Sequence, residues 1–546
     1  MRILVIGAVA AGTSAAAKAR RNDDKAEIVV YEKDKDISYS GCGLPYYIGG
    51  EVGDIEELTP RDSIFFKKKY NIDIFTSYKV LKIESEKKEL IIKNLNTDEV
   101  FKDRYDKLVI ATGATSFVPS VKGIDNPNVF FLRNVESARN IKNFIDERKP
   151  KHAVIAGTGF IGFEMLENIM EYGINVTIIE KQSKITPNLD EDMAIFLENA
   201  LAKKNVTIMK NNSIVEIHED KVILEDGQEI DSNIVIMATG VRPNITLAKE
   251  AGMEIGVTGG IKVNNKMQTN IKDVYACGDC IETFSVITKK PVYRPLGSTA
   301  NKTGRIAGDV LTGGTLEYRG NLSTGIFKLF DMTIASTGLS EREALAEGYE
   351  IVMCHNIKPD KPDYFHGKEM IIKAIADKRT QKLLGVQVVG YEGVDKRIDV
   401  FVTLITYGAK VEDLFHLDLA YAPPFSTTKD PVHYTGMILD NALNNNRPII
   451  TSKEIQRLVN KGEKIQIIDA RVTKQYDESH VDTAVNIPHS NLREGLETLN
   501  KEALTITYCN KGVTGNATQN ILINHGFKKV YNLSGGHKFY KETKDR

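Results

Sequence analysis

Five cysteines are spread through the 546-residue chain, and two of them sit where sulfur could do chemistry. Cys42 lies in Ser38-Tyr39-Ser40-Gly41-Cys42-Gly43-Leu44-Pro45, between glycines and ahead of a proline suited to the first turn of a helix. A thiol at a helix N-terminus is expected to ionise below its usual range, and the thiolate is the reactive form. No second cysteine follows nearby to close a local disulfide, so the other half of any disulfide or persulfide must come from a substrate. Cys509 ends the run Thr505-Ile506-Thr507-Tyr508 and opens Asn510-Lys511-Gly512-Val513-Thr514-Gly515. A loop of that kind can wrap backbone N–H groups round the sulfur as an anion nest, which would hold a thiolate or a persulfide. Cys277 and Cys280 have metal-ligand spacing, but no second pair accompanies them, so no metal is expected. Cys354 carries no motif and reads as packing.

The elements around Cys42 are two strand–turn–helix–strand units. Ile3-Leu4-Val5-Ile6 runs into Gly7-Ala8-Val9-Ala10-Ala11-Gly12, a helix of small residues follows, and a second strand from Glu27 to Tyr31 ends at Glu32. About 150 residues later the pattern repeats. Ala153-Val154-Ile155-Ala156 leads into Gly157-Thr158-Gly159-Phe160-Ile161-Gly162, and the strand Asn175 to Ile179 ends at Glu180. The first glycine of each turn permits the sharp bend, and the last lets helix and strand pack closely. A diphosphate then meets free N–H groups at the helix start, and the acid accepts hydrogen bonds from ribose hydroxyls. Val9 departs from the usual middle glycine and narrows the first turn. Glu180 favours NADH, because a carboxylate there repels the 2′-phosphate of NADPH; Lys181 beside it leaves NADPH open.

Further strand–turn segments end in Ala111-Thr112-Gly113, Ala238-Thr239-Gly240 and Cys277-Gly278-Asp279. Residues 325–440 mix strands and helices and carry no phosphate loop. Residues 441–451 are polar, include Pro448 and read as a linker, after which an α/β pattern restarts over 452–546. The net charge of −1 gives no global field to attract nucleic acid or a membrane surface, and no apolar run is long enough to span a bilayer. Met1-Arg2-Ile3-Leu4 enters a strand at once, so a cytoplasmic location is expected.

Together these markers resemble the flavoprotein disulfide reductase family that binds two dinucleotides. The resemblance covers residues 1 to about 440. It implies FAD on the first unit through Gly7, Gly12, Glu32, Thr112 and Gly113, with Asp279 on the ribityl chain. It implies a nicotinamide nucleotide on the second through Gly157, Gly159, Gly162, Glu180 and Gly240. The expected architecture is α/β throughout. Two Rossmann-like dinucleotide-binding domains (FAD, 1–150 and 241–324; NAD(P)H, 151–240) precede an α+β dimerisation domain over 325–440 and a further α/β domain.

Single-cysteine members of that family divide by chemistry. Those reducing peroxide or oxygen carry a histidine in the first glycine turn, where this chain has Ala10. Ser38 and Cys42, with Tyr364 in Lys361-Pro362-Asp363-Tyr364-Phe365-His366-Gly367 and Tyr421 in Leu419-Ala420-Tyr421-Ala422-Pro423-Pro424, resemble the coenzyme A disulfide reductase subgroup. There the tyrosines reach across a homodimer to the partner's cysteine, and a phenol is a suitable donor to a departing thiolate. Coenzyme A phosphates need cations, for which Arg20, Arg21, Arg61 and Lys69 of the run Lys67-Lys68-Lys69 are candidates. Asn301 resembles a residue near the substrate thiol.

Residues 452–546 resemble a rhodanese domain, through Ile467-Ile468-Asp469-Ala470-Arg471, Tyr476, His480-Val481, Ala484-Val485-Asn486-Ile487-Pro488, Cys509 and Asn532-Leu533-Ser534-Gly535-Gly536. That family commonly has arginine where Thr514 stands, so poor thiosulfate transfer is expected, with Lys511 the nearest replacement. The combination implies an NADH- and FAD-dependent reductase of coenzyme A disulfide or persulfide, with Cys509 handling sulfane sulfur. The rival readings are an NADH oxidase or peroxidase cycling Cys42 through a sulfenic acid, and a persulfide sensor or docking protein built on Cys509.

Overall fold

The computed structural model describes residues 1–544. The chain forms two compact units, one of residues 1–183 with 206–321 and one of residues 184–205 with those from 322 onward.

The first unit is built on two parallel five-stranded sheets. One runs in the order Val274–Ala276, Lys107–Ile110, Arg2–Ile6, Glu27–Glu32, Asp73–Thr76. The other runs Thr207–Lys210, Asn175–Glu180, His152–Ala156, Ile234–Met237, Val129–Phe130. Their central strands are covered on both faces, which is why Ile3-Leu4-Val5 and Val154-Ile155 read as unbroken apolar runs and are fully buried. The alanines of helix Ala10–Asn22 serve close packing against helix Gly297–Leu311. A Cβ on Gly304 would lie 2.3 Å from the Ala11 carbonyl oxygen, and one on Gly308 would lie 2.2 Å from that of Ala15. A short antiparallel pair, Ala114–Ser116 with Val241–Pro243, ties together the segments that follow Gly113 and Gly240.

The second unit holds two five-stranded sheets of opposite character. The antiparallel one runs Gly325–Leu329, Met332–Gly338, Leu383–Gly390, Glu369–Asp377, Ile351–Pro359. Helices Val394–Thr406 and Pro431–Asn444 accompany it, joined by the buried pair Arg397–Asp430, whose Nη2 and Oδ2 are 2.8 Å apart. The parallel one runs Ile449–Ile450, Lys529–Leu533, Leu504–Tyr508, Ile465–Asp469, Val485–Asn486. The expected linker over 441–451 is therefore mostly structured. The helix continues to Asn444, whose side-chain amide donates to Asp440 Oδ1 at 2.7 Å, and the strand begins at Ile449, where Ile449–Ile450 finds an edge to pair with.

Segment 184–205, with its helix Glu191–Lys203, belongs to the second unit although it lies in sequence inside the second dinucleotide region. Its Asp192 meets the fully buried Lys373 at 2.9 Å and His355 at 2.8 Å. The Lys373 ammonium and the hydrogen bond to His355 hold the Asp192 carboxyl well below the usual carboxylate range against the opposing effect of burial.

Candidate active site

The first turn is closed so tightly that only glycine fits at two positions. A Cβ on Gly7 (φ +105°) would lie 2.2 Å from the Ala111 carbonyl oxygen, and one on Gly12 would lie 1.8 Å from that of Gly7. Val9 takes the N-cap position of helix Ala10–Asn22, which has no side-chain cap, so the turn tolerates it. Glu32 is buried at the end of its strand and accepts the N–H groups of Ala8 (2.7 Å) and Asp34 (3.0 Å). Burial raises its carboxyl, and those two donors oppose the rise. Thr112 and Asn244 are locked by reciprocal 2.8 Å bonds, Thr112 Oγ1 donating to the Asn244 carbonyl and Asn244 Nδ2 to the Thr112 carbonyl. Asp279 accepts from Arg133 Nη2 at 3.0 Å.

The second turn repeats the geometry. A Cβ on Gly157 would lie 2.5 Å from the Ala238 carbonyl oxygen and one on Gly162 2.2 Å from that of Gly157, whereas beside Gly159 and Gly240 the space is open. Helix Phe160–Met170 also starts without a side-chain cap. Glu180 accepts from Thr158 Oγ1 at 2.5 Å and from the N–H groups of Thr158 (3.1 Å) and Gln182 (2.8 Å). Each unit thus presents uncapped helix N–H groups on a glycine cradle with a carboxylate at the end of the second strand. That donor and acceptor set fits the diphosphate and ribose of one dinucleotide per unit.

Cys42 is exposed in the turn Gly41–Gly43, ahead of the six-residue helix Leu44–Gly49 that carries Pro45 in its first turn. The helix start is where the sequence places it, but the thiol is not shifted downward. Partial burial raises it first, and the negative charges of Glu164 and Asp279 raise it further against Arg133. One short helix offers too little dipole to outweigh two carboxylates. Glu164, on helix Phe160–Met170, is itself pushed up to about 7 by burial and by its neighbour Glu167. Cys280 Sγ faces the carbonyls of Cys277 (3.2 Å) and Ile110 (3.6 Å) in the core, so that CxxC is packing. Cys354 is buried as expected.

A cleft of about 520 Å³ opens over the first unit, with Ser38, Arg21, Arg61, Asn301 and Arg305 in its wall. Asn301 is held by Ser14 Oγ, which donates at 2.7 Å, and by its own Nδ2 bond to the Gly297 carbonyl at 3.0 Å. Arg20 corrects the expectation. It is 7% exposed, and its guanidinium donates to the carbonyls of Tyr70, Asp23, Asp24 and Asn71, so it fastens the chain instead of facing the cleft. Lys69 lies over the rings of Phe65 (5.2 Å) and Tyr70 (5.7 Å) and is not part of the wall. Arg305, Arg133, Asn244 and Glu164 were not singled out from sequence. Arg305 shares helix Gly297–Leu311 with Asn301 and Glu164 lies in the helix of the second glycine turn, where no motif marks either, and Arg133 and Asn244 lie in loops without a motif.

In the second unit Tyr364 is 70% exposed in the turn Asp363–Phe365, and Tyr421 is 48% exposed in a loop. Cys509 follows strand Leu504–Tyr508 and is only 8% exposed. Its loop is pinned by His537 N–H to the Cys509 carbonyl (2.8 Å), Lys538 N–H to the Asn510 carbonyl (3.0 Å) and Asn532 Nδ2 to the Gly512 carbonyl (3.0 Å). Arg471 and Tyr508 both bind Asp469 beneath it, at 2.6 and 2.7 Å. Lys511, the expected stand-in for the missing loop arginine, is drawn into an ion pair with Glu369.

Fold and site define an oxidoreductase with two dinucleotide cradles and one exposed cysteine, joined to a second cysteine-bearing domain. Residues 1–300 match the pyridine nucleotide-disulphide oxidoreductases, 325–431 the dimerisation domain of the same family, and 451–543 the rhodanese-like domain. The chain belongs to the pyridine nucleotide-disulphide oxidoreductases, whose cofactors are FAD and NAD(P)H, and carries a C-terminal rhodanese-like domain. It is similar to the NAD(P)H sulfur oxidoreductase (CoA-dependent) of Pyrococcus furiosus, with 36% identity over 80% of this chain and 99% of the relative. Two solved structures match along the whole length, each at 36% identity. Reduced Bacillus anthracis CoADR-RHD has a TM-score of 0.96 over 99% of this chain and 98% of that one. A NAD-dependent persulfide reductase from A. fulgidus has a TM-score of 0.91 over 99% and 100%. No helix of the described residues is long and apolar enough to cross a membrane.

Proposed function

We propose that the protein reduces coenzyme A disulfide or coenzyme A persulfide with NADH, through Cys42 as its one redox sulfur. The observation that carries this is an exposed cysteine, with no second sulfur to pair with, on the unit whose cleft has Arg21, Arg61 and Arg305 in its wall. Gly7, Gly12, Glu32, Thr112, Gly113 and Asp279 would hold FAD, and Gly157, Gly159, Gly162, Glu180 and Gly240 the nicotinamide nucleotide. FAD, when bound, relays two electrons from NADH to sulfur.

The Cys42 thiolate attacks the substrate disulfide or persulfide. A Cys42–S–S–coenzyme A bond forms, the substrate S–S bond breaks, and thiolate or hydrosulfide leaves. Two electrons then return the two sulfurs as thiolates. Arg21 and Arg61 bind the phosphates, and Ser38 and Asn301 hold the thiol end of the substrate. Tyr364 and Tyr421 donate hydrogen bonds to the leaving sulfur across a homodimer, and Cys509 carries sulfane sulfur. The domain limits are those the sequence suggests, except that residues 184–205 group with the second unit and residues 441–444 close a helix, and the enzyme works in the cytoplasm without nucleic acid or membrane partners.

NADH oxidation with coenzyme A disulfide and persulfide, compared between wild type and Cys42→Ser, tests the reading. A loss of roughly a hundredfold or more is expected for removal of a nucleophile. Equal rates would refute it.

A further inference from the structure

The rhodanese-like domain lacks the loop arginine that would meet an anionic sulfur donor, and Lys511 is committed to Glu369. A different cation stands nearby. The Cys509 loop, through Lys511, Gly512 and Val513, forms one wall of a cavity of about 120 Å³. Strand Ile351–Pro359 and helix Pro431–Asn444 of the dimerisation part line the same cavity, through Lys358 and Tyr434.

Lys358 Nζ sits 3.7 Å from the centre of the Tyr434 ring, and among the described residues no carboxylate pairs with it. A half-buried ammonium held on an aromatic face without a counter-ion is a poised anion site. Burial lowers its basicity, as do the like charges of Lys511 and Lys429, and the one group that opposes them is Cys509.

We infer that Lys358, supplied by the reductase part of the chain, is the specificity-determining cation of the Cys509 site and selects the anionic end of an organic persulfide. This rests on the sulfur-carrying role proposed for Cys509. In the transfer, the Cys509 thiolate attacks the terminal sulfur of R–S–SH. A Cys509 S–S bond forms as the R–S to S bond breaks, and R–S⁻ leaves. Sulfane sulfur changes owner with no net oxidation. The proton travels with it and is then lost, and the resulting Cys509–S–S⁻ lies beside Lys358. The site is complete only with both domains present.

The test uses the full-length holoenzyme as wild type, Lys358→Met, Lys358→Gln and Lys358→Arg. Peptide-resolved mass spectrometry follows Cys509 alkylation by anionic iodoacetate and neutral iodoacetamide, and its sulfur loading from cysteine persulfide. The iodoacetate-to-iodoacetamide rate ratio should fall roughly tenfold in the two neutral variants and recover in Lys358→Arg, with persulfide loading following it. An unchanged ratio in both neutral variants overturns the inference, as does a wild-type Cys509 inert to both reagents. A wild type that shows the charge preference yet takes no sulfur keeps Lys358 as the cation and refutes the carrier role of Cys509 instead.

Discussion

At the scale of single residues, Cys42 works against its electrostatic surroundings. Glu164 and Asp279 disfavour its thiolate, and Glu164 titrates near neutrality, about 7. Above that pH Glu164 is charged and holds the thiol up, so removing its charge must bring the thiol down. Glu164→Gln should shift the pH profile of Cys42 alkylation to lower pH by roughly half a unit to one unit. An upward shift would show that Glu164 assists ionisation.

The arginines separate in the same way. Arg20→Ala leaves four backbone carbonyls without their donor and should cost about 1–3 kcal/mol of stability by denaturant unfolding, with KM for coenzyme A disulfide little changed. Arg21→Ala and Arg61→Ala should raise KM with little loss of stability. Sequence supplied the residue types here but not their directions: nothing in Ala19-Arg20-Arg21 says which guanidinium turns inward. The helix start at Pro45 was legible, but the carboxylates that raise the Cys42 thiol come from segments far away in sequence.

At the scale of elements, the glycine turns were legible because their chemistry is local. Strand, turn, helix and acid follow within about thirty residues, and the carbonyls that a Cβ on Gly12 or Gly162 would strike, those of Gly7 and Gly157, lie on that short path; the Ala111 and Ala238 carbonyls against Gly7 and Gly157 come from distant strands. The seat of helix Gly297–Leu311 on helix Ala10–Asn22 was not legible, since it pairs residues nearly three hundred positions apart. Gly308 is the sensitive point. Gly308→Ala places a methyl 2.2 Å from the Ala15 carbonyl oxygen and should destabilise by roughly 1–3 kcal/mol, seen as a lower Tm. A variant as stable as wild type would mean the two helices can separate at no cost.

At the scale of the whole molecule, composition and motif order carried the domain plan, and contacts between distant segments carried the rest. The linker over 441–451 was overread because polar asparagines also end helices well. His355 shows what a motif scan misses. Its Nδ1 meets Ser534 Oγ at 3.0 Å and its Nε2 meets Asp192 at 2.8 Å, so one side chain fastens the rhodanese-like domain and segment 184–205 to the dimerisation sheet.

The proposed chemistry requires one sulfur, that of Cys42, to accept a coenzyme A sulfur. The most direct measurement treats the NADH-free enzyme with coenzyme A disulfide and maps adducts on all five cysteines by mass spectrometry while titrating the released thiol. A coenzyme A mixed disulfide on Cys42 is expected, with one thiol released per site. An adduct confined to Cys509, or none at Cys42, would contradict it.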